Sequence, residues 1–351
     1  MKSCLIYAMF ISMVVFQAGI AGAATSGRTP IETRSKDPYL GAIVVDAATG
    51  NVLFENNADA QGYPASVIKL MVLLIIQERI DNATLRLTDV VTATAEAAGM
   101  GGSQVYLKEH ETFPVEDLLY ALIIQSANDA AAALAIHVGG TRDGFIELMN
   151  NRAKELGMTA TEIHSVHGLP PSQGARPDVT TARDLAILAR EILKHPDCLK
   201  YTSTRERGFR NGTFNMLTHN HLLGTTEGCD GMKTGYFTAA GFSSIVTAQR
   251  GGRRVIAVLL GCPTRQGRDN QARTLLATGF ASLPAEPAPP PAPTPAVAEV
   301  PPPAVQPAAV TPPPEQDTSG TGHRILYAAL VLAAAAGILG LGIRIGRRRH
   351  P

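Results

Sequence analysis

Two hairpin patterns, one near each end of a long folded segment, restrict the architecture of this chain more than any other feature. Ala42 to Asp46 and Val52 to Glu55 are strand-like runs flanking an Ala-Thr-Gly turn, and Phe242 to Arg250 and Arg253 to Leu260 flank Gly251-Gly252. Between them, apolar residues recur at helical spacing over Ser66 to Ile80, Val115 to Gln125, Asp129 to Val138, Asp143 to Leu156 and Thr180 to Lys194, several of these runs opened by Ser, Thr, Asp or Pro. A last helix is predicted from Gln266 to Phe280. Strands from both ends can share a sheet only if it is antiparallel with the helices laid against it. The expected class is therefore α+β, in one catalytic-size domain spanning residues 38–283. No internal repeat is apparent.

The flanks have different compositions. Lys2, the apolar run Leu5 to Val15 and the small residues Ala21-Gly22-Ala23 follow the layout of a cleavable secretory signal over residues 1–23, leaving 24–37 as an N-terminal segment. Pro284 to Pro314 holds 14 of the chain's 24 prolines. Such a stretch cannot build a core and extends at ~3.1 Å per residue, so residues 284–324 are read as a Pro/Ala-rich linker. Ile325 to Ile343 is apolar and long enough, at ~1.5 Å per residue, for a ~30 Å bilayer core. Arg344, Arg347, Arg348 and Arg349 follow it in the tail 344–351 and mark the cytoplasmic side. One C-terminal transmembrane helix is expected, giving a single-pass membrane protein whose folded domain faces outward. The nearest upstream match to a wall-sorting motif, Leu283-Pro284-Ala285-Glu286, breaks off after two residues.

A formal charge of +1 without a basic tract argues against nucleic acid as a partner. Cys198, Cys229 and Cys262 remain once Cys4 leaves with the signal, and either one disulfide plus a thiol or three free thiols fits that count.

Three short patterns carry chemistry. In Pro64-Ala65-Ser66-Val67-Ile68-Lys69-Leu70, Ser66 and Lys69 are three apart on one helix face, so a hydroxyl and an amine meet. A lysine takes a proton from serine only when neutral, which requires burial, a helix N-terminus or a second cation to lower its pKa. Taken alone, the tetrad reads more readily as a capping serine and a surface lysine. Ser126-Ala127-Asn128 lies at a helix junction, where polar residues usually cap, and offers a hydroxyl for proton relay and an amide for orientation. Lys233-Thr234-Gly235 stands immediately before a predicted strand, Tyr236 to Thr247, and offers a cation, a hydroxyl and a glycine that permits close backbone approach.

The order Ser-x-x-Lys, Ser-x-Asn, Lys-Thr-Gly resembles the penicillin-binding proteins and serine β-lactamases. Asp46-Ala47-Ala48-Thr49-Gly50, Thr180-Thr181-Ala182-Arg183-Asp184-Leu185 and Gly228-Cys229-Asp230-Gly231-Met232 extend the likeness to the D-alanyl-D-alanine carboxypeptidases, across most of residues 38–283. The resemblance implies the penicillin-binding, β-lactamase-like transpeptidase fold and removal of the terminal D-alanine from peptidoglycan stem peptides, with β-lactams as inhibitors. It makes Ser66 the nucleophile, Lys69 its base and Ser126 a proton relay. Asn128 positions Lys69 and the peptide, Lys233, Thr234 and Gly235 receive the substrate carboxylate, and the oxyanion lies between the N–H groups of Ser66 and Tyr236. An endopeptidase cutting peptidoglycan cross-links would use the same residues, and a silent wall-binding sensor would not need them. The Glu-x-x-Leu-Asn pattern of a class A β-lactamase is absent. Many carboxypeptidases of this kind continue into a small β-rich domain, whereas here the proline stretch starts after Leu283. No cofactor or metal is expected: His164 and His167, and His219 and His221, lack an evident third ligand.

Overall fold

The computed structural model describes residues 37–170 and 172–284. The proposed signal segment, the linker beyond Pro284, the apolar stretch 325–343 and the basic tail lie outside the described residues. No helix among the described residues is long and apolar enough to cross a membrane.

The two hairpins predicted from sequence meet in one five-stranded sheet. In chain order its strands are β1 (Gly41–Asp46), β2 (Val52–Asn56), β7 (Cys229–Phe237), β8 (Gly241–Arg250) and β9 (Arg253–Cys262). They are arranged β2-β1-β9-β8-β7, antiparallel throughout. Two short ribbons, β3 (Val90–Thr92) with β4 (Thr112–Pro114) and β5 (Glu206–Phe209) with β6 (Phe214–Leu217), stand apart from it.

The helices are α1 (Lys69–Asp81), α2 (Ala95–Ala98), α3 (Val115–Tyr120), α4 (Asn128–Gly139), α5 (Arg142–Glu155), α6 (Ala182–Ile192), α7 (Cys198–Thr202) and α8 (Arg265–Ser282). The pleat sends alternate residues of the sheet to opposite faces. Ile43, Val45, Ile256, Val258 and Leu260 join the large core with α1, α4 and α6, while Ala42, Val44, Val255, Ala257 and Leu259 meet Leu275 and Leu276 of α8. Both faces are covered. That is why the central strands read as continuous apolar runs and not as alternating ones.

The most consequential helix is α1. Every residue from Lys69 to Gln77 is buried, as expected of a helix that is apolar all round. Its first residue is thereby held inside the protein.

The structure corrects the sequence reading at several points. The predicted strand Tyr236 to Thr247 is two strands broken at Thr238–Ala240, and Lys233-Thr234-Gly235 lies within β7, not before a strand. β7 is an edge strand paired only with β8, so it tolerates polar and glycine residues that read as a turn. The helix expected from Ser66 starts as a 3-10 turn, Ala65–Ile68, and becomes α-helical at Lys69. Residues three apart eclipse in that geometry, so Ser66 and Lys69 still share a face. Ala121–Gln125, expected to be α-helical, is a π-helical turn ending at Ser126, whose φ is 59°. α6 begins at Ala182, after Thr181 caps it by accepting from the Asp184 N–H. Cys198, Cys229 and Cys262 are all free, the second of the two arrangements their count allowed.

Candidate active site

The three patterns converge on one cleft of about 300 Å³, lined by Ser66, Ser126, Asn128, Thr234, Gly235 and Tyr236 together with Ser103, Leu169, His219, Arg265 and Arg268. Lys69 and Lys233 lie beneath its wall, 0% and 2% exposed. Each sequence-predicted residue therefore falls at or directly behind one surface.

Two non-glycine residues in left-handed backbone conformation frame the cleft, Ala65 before the serine (φ 48°) and Ser126 at the end of the π turn (φ 59°). Such conformations cost about 1–3 kcal/mol and persist where surrounding structure imposes them. Here the π turn delivers Ser126 to the cleft, and the reversal behind it lets α4 start at Asn128. Asn128 is then fixed from three sides: its N–H donates to the Ser103 carbonyl (2.7 Å), its Nδ2 donates to the Gly101 carbonyl (2.7 Å), and its Oδ1 faces Lys69. Asp129 beside it accepts from the N–H groups of Val105 and Leu107, tying the 101–107 segment to α4.

The Lys69 Nζ makes three contacts: Asn128 Oδ1 at 2.7 Å, the His167 carbonyl at 2.9 Å and Ser66 Oγ at 2.9 Å. The first two atoms accept only. A neutral amine has two N–H bonds and one lone pair, so two pure acceptors take both hydrogens and leave the lone pair for the serine hydroxyl. Burial holds the Lys69 pKa well below the usual lysine value, the nearby Lys233 charge lowers it further, and Asp129 and Asp178 oppose the shift. Lys233 is itself lowered to about 7, by burial and then by Arg268. Its Nζ donates to the Thr234 carbonyl at 2.9 Å.

β7 runs hard against the serine turn. A Cβ on Gly235 would stand 2.8 Å from the Pro64 carbonyl oxygen and 2.9 Å from the Ser66 nitrogen, so only glycine fits without displacement. Tyr236, 54% exposed, stacks on Phe242 at the mouth, with ring centroids 4.1 Å apart.

Three participants had no sequence signal strong enough to single them out. The His167 carbonyl is a backbone acceptor and leaves no side-chain signature. Arg268 is buried at the start of α8, pairs with Asp269 through Nε and Nη2, and also lines the cleft. Asp178 is buried behind the 164–168 segment. The histidine pairs lie apart from each other: His164 lies beside Glu162, whereas His219 and His221 both line the cleft, His221 beside Asp269. Among the described residues the one triad of metal-ligating types is Glu78, Glu191 and His195, and the Arg152 guanidinium lies 2.7 Å from Glu78 and 2.9 Å from Glu191.

Residues 31–264 match a family model described as D-alanyl-D-alanine carboxypeptidase. The D-alanyl-D-alanine carboxypeptidase DacF of Bacillus subtilis is 34% identical over 249 residues, 70% of this chain and 63% of that protein. DacC of Escherichia coli is 38% identical over 246 residues, 68% of this chain and 60% of that protein. The chain thus spans somewhat under two thirds of the length of these two curated relatives. Among solved structures, penicillin-binding protein D2 of Listeria monocytogenes in its ampicillin-bound form superposes with a TM-score of 0.63 at 34% identity, covering 69% of this chain and 97% of that one. Penicillin-binding protein 6B of Escherichia coli gives 0.64 at 33% identity, covering 73% and 80%.

Proposed function

We propose that this chain, which belongs to the D-alanyl-D-alanine carboxypeptidase family, removes the terminal D-alanine of peptidoglycan stem peptides through an acyl-enzyme on Ser66 and is acylated by penicillins at the same residue. The observation that carries this reading is the buried Lys69 amine, 2.9 Å from the Ser66 hydroxyl and within hydrogen-bond distance of the Asn128 Oδ1 and the His167 carbonyl.

In the proposed cycle, Ser66 Oγ attacks the carbonyl of the penultimate residue as Lys69 takes its proton. The N–H groups of Ser66 and Tyr236 stabilise the oxyanion. Ser126 passes a proton to the departing D-alanine amine, and Asn128 orients both Lys69 and the peptide. Lys233 and Thr234 receive the terminal carboxylate along β7, where Gly235 permits the strand's close approach. Water then releases the shortened peptide. We assign residues 38–283 to catalysis, 1–23 to secretion, 284–324 to a linker and 325–343 to a single-pass anchor that leaves the enzyme on the extracytoplasmic side. Such a linker suits a substrate in a polymer layer away from the lipid.

Incubating the protein with benzylpenicillin and mapping the adduct by peptide mass tests the reading. A stoichiometric adduct on Ser66 is expected. No adduct, or one elsewhere, would refute it and leave the silent wall-binding sensor. Product analysis on a D-alanyl-D-alanine pentapeptide and on cross-linked dimers then separates carboxypeptidase from endopeptidase.

A further inference from the structure

The acceptor that completes the lysine's surroundings is a carbonyl on an irregular segment, and such an atom needs something to aim it. Residues 164–168 have no strand or helix to hold them. They run beside 178–180 through a single bridge in which Glu162 and Val179 exchange backbone hydrogen bonds at 2.9 Å. That bridge brings the buried carboxylate of Asp178 under the segment.

Asp178 Oδ1 accepts from the N–H groups of His164 (2.6 Å) and Ser165 (2.8 Å), and Oδ2 accepts from the Ser165 hydroxyl (2.6 Å). The Ser165 hydroxyl, oriented by that donation, accepts from the Gly168 N–H at 2.8 Å and the His167 N–H at 3.4 Å. The turn is closed further by the Leu169 N–H donating to His167 Nδ1 at 3.1 Å. Gly168 adopts φ +76°, and a Cβ there would lie 2.0 Å from the Ala65 carbonyl oxygen, so the turn sits directly on the residue preceding the serine. The outcome of these bonds is one backbone carbonyl, that of His167, directed at the Lys69 amine at 2.9 Å, with the Ser66 hydroxyl farther off at 3.4 Å.

We propose that Asp178, acting through the Ser165 hydroxyl, is a positioning residue for Lys69: the pair fixes the 165–168 turn so that the His167 carbonyl holds one N–H of the amine and the lone pair stays on Ser66. This deepens the acyl-enzyme reading and rests on it. Asp178 also acts at a distance, because it and Asp129 are the two carboxylates whose charge favours protonated Lys69, against Lys233. The two substitutions perturb different parts of this arrangement. Ser165→Ala removes the link and keeps the carboxylate, whereas Asp178→Asn removes the charge, keeps an acceptor for both N–H groups and turns the Ser165 contact into donation from the amide.

The experiment measures the rate constant for penicillin acylation of the full chain against pH, at saturating penicillin, for the wild type, Ser165→Ala, Ser165→Thr and Asp178→Asn, with thermal melts of each. Ser165→Ala is expected to acylate roughly 10- to 100-fold more slowly at every pH, the scale of a sub-ångström to 1 Å misplacement, with its acid limb unmoved. Ser165→Thr, which retains the hydroxyl, should recover most of the rate. For Asp178→Asn the acid limb should move to lower pH by ~0.5 unit or more, because losing a nearby negative charge favours the neutral amine. If Asp178→Asn does not fold, the alanine and threonine variants at Ser165 decide the matter alone. Folded variants that acylate at the wild-type rate with an unmoved limb, or a Ser165→Ala protein that loses only penicillin affinity, overturn the inference. Failure of the wild type to acylate would instead remove the functional reading beneath it.

Discussion

Replacing Gly235 by alanine is a perturbation whose cost can be worked from the structure. The added methyl would meet three backbone atoms, the Pro64 oxygen at 2.8 Å, the Ser66 nitrogen at 2.9 Å and the Val67 nitrogen at 3.0 Å. None of these can rotate away. Behind them α1 is buried along most of its length, so the serine turn cannot retreat. The side that yields is β7, an edge strand whose one strand partner is β8. It must withdraw by roughly half an ångström for the methyl to reach ordinary contact, a form of overpacking that costs ~1–3 kcal/mol. For a domain of this size that lowers the melting temperature by roughly 2–12 °C. Withdrawal also moves the Tyr236 N–H away from the attacked carbonyl while leaving Ser66 and Lys69 together. Acylation by a fluorescent penicillin, followed by rapid mixing and gel densitometry, is expected to slow by up to ~100-fold without a change in its acid limb. A variant that melts and acylates like the wild type would show that β7 need not lie so close. A shifted acid limb would show that the lysine had been disturbed, and the argument from the strand would fail.

The two lysines should separate chemistry from binding. Lys69→Ala should abolish acylation by peptide and penicillin alike, whereas Lys233→Arg, which keeps charge with a different donor geometry, should retain some penicillin labelling while peptide hydrolysis falls further; normal acylation by the first or unimpaired hydrolysis by the second contradicts the assignments. His167 has its pKa depressed to about 4, chiefly by burial and then by Lys69. The unfolded chain therefore binds a proton below about 6.5 that the folded one refuses, and stability should fall as pH drops from 6.5 toward 4, by up to ~1.4 kcal/mol per unit from this group. Urea denaturation of His167→Gln, which keeps the carbonyl, should show a correspondingly shallower decline, and an identical pH slope counts against a neutral buried ring. Deleting residues 321–351 should release an extracytoplasmic soluble protein with unchanged activity on a small peptide; a folded truncation that has lost that activity refutes the division into catalytic body and tether.

The sheet and the main helices were legible because their signals are local. Gly251-Gly252 between two β-branched runs marks β8 and β9, and the apolar run after Lys69 could only be a buried helix. The Ser66, Ser126 and Lys233 patterns were legible as a set because their order is informative even where each alone is not. β7 was misread because an edge strand answers to different constraints: Asp230, Lys233 and Thr234 break the apolar pattern, and Gly231 and Gly235 imitate a turn. The His167 carbonyl was invisible for a deeper reason, since every residue carries one. What distinguishes it is the Ser165–Asp178 bond across thirteen positions, a pairing between segments that the Glu162–Val179 bridge holds side by side. Arg268 was hidden in the same way. The predicted last helix carried no mark that set Arg268 apart from its other polar residues, and the packing of α8 on the sheet buries it.

The two buried amines also account for why a carboxylate belongs in this cleft. Among the described residues no carboxylate pairs directly with Lys69 or Lys233, so charging both would bury two cations with only the more distant Asp129 and Asp178 to offset them. The free protein resolves this by holding Lys69 far down and leaving Lys233 poised at about 7. On the proposed assignment, a substrate carboxylate docking along β7 supplies the missing counter-charge to Lys233 and raises its pKa. A peptide ending in an amide would supply no such counter-charge and would lose its grip on Lys233.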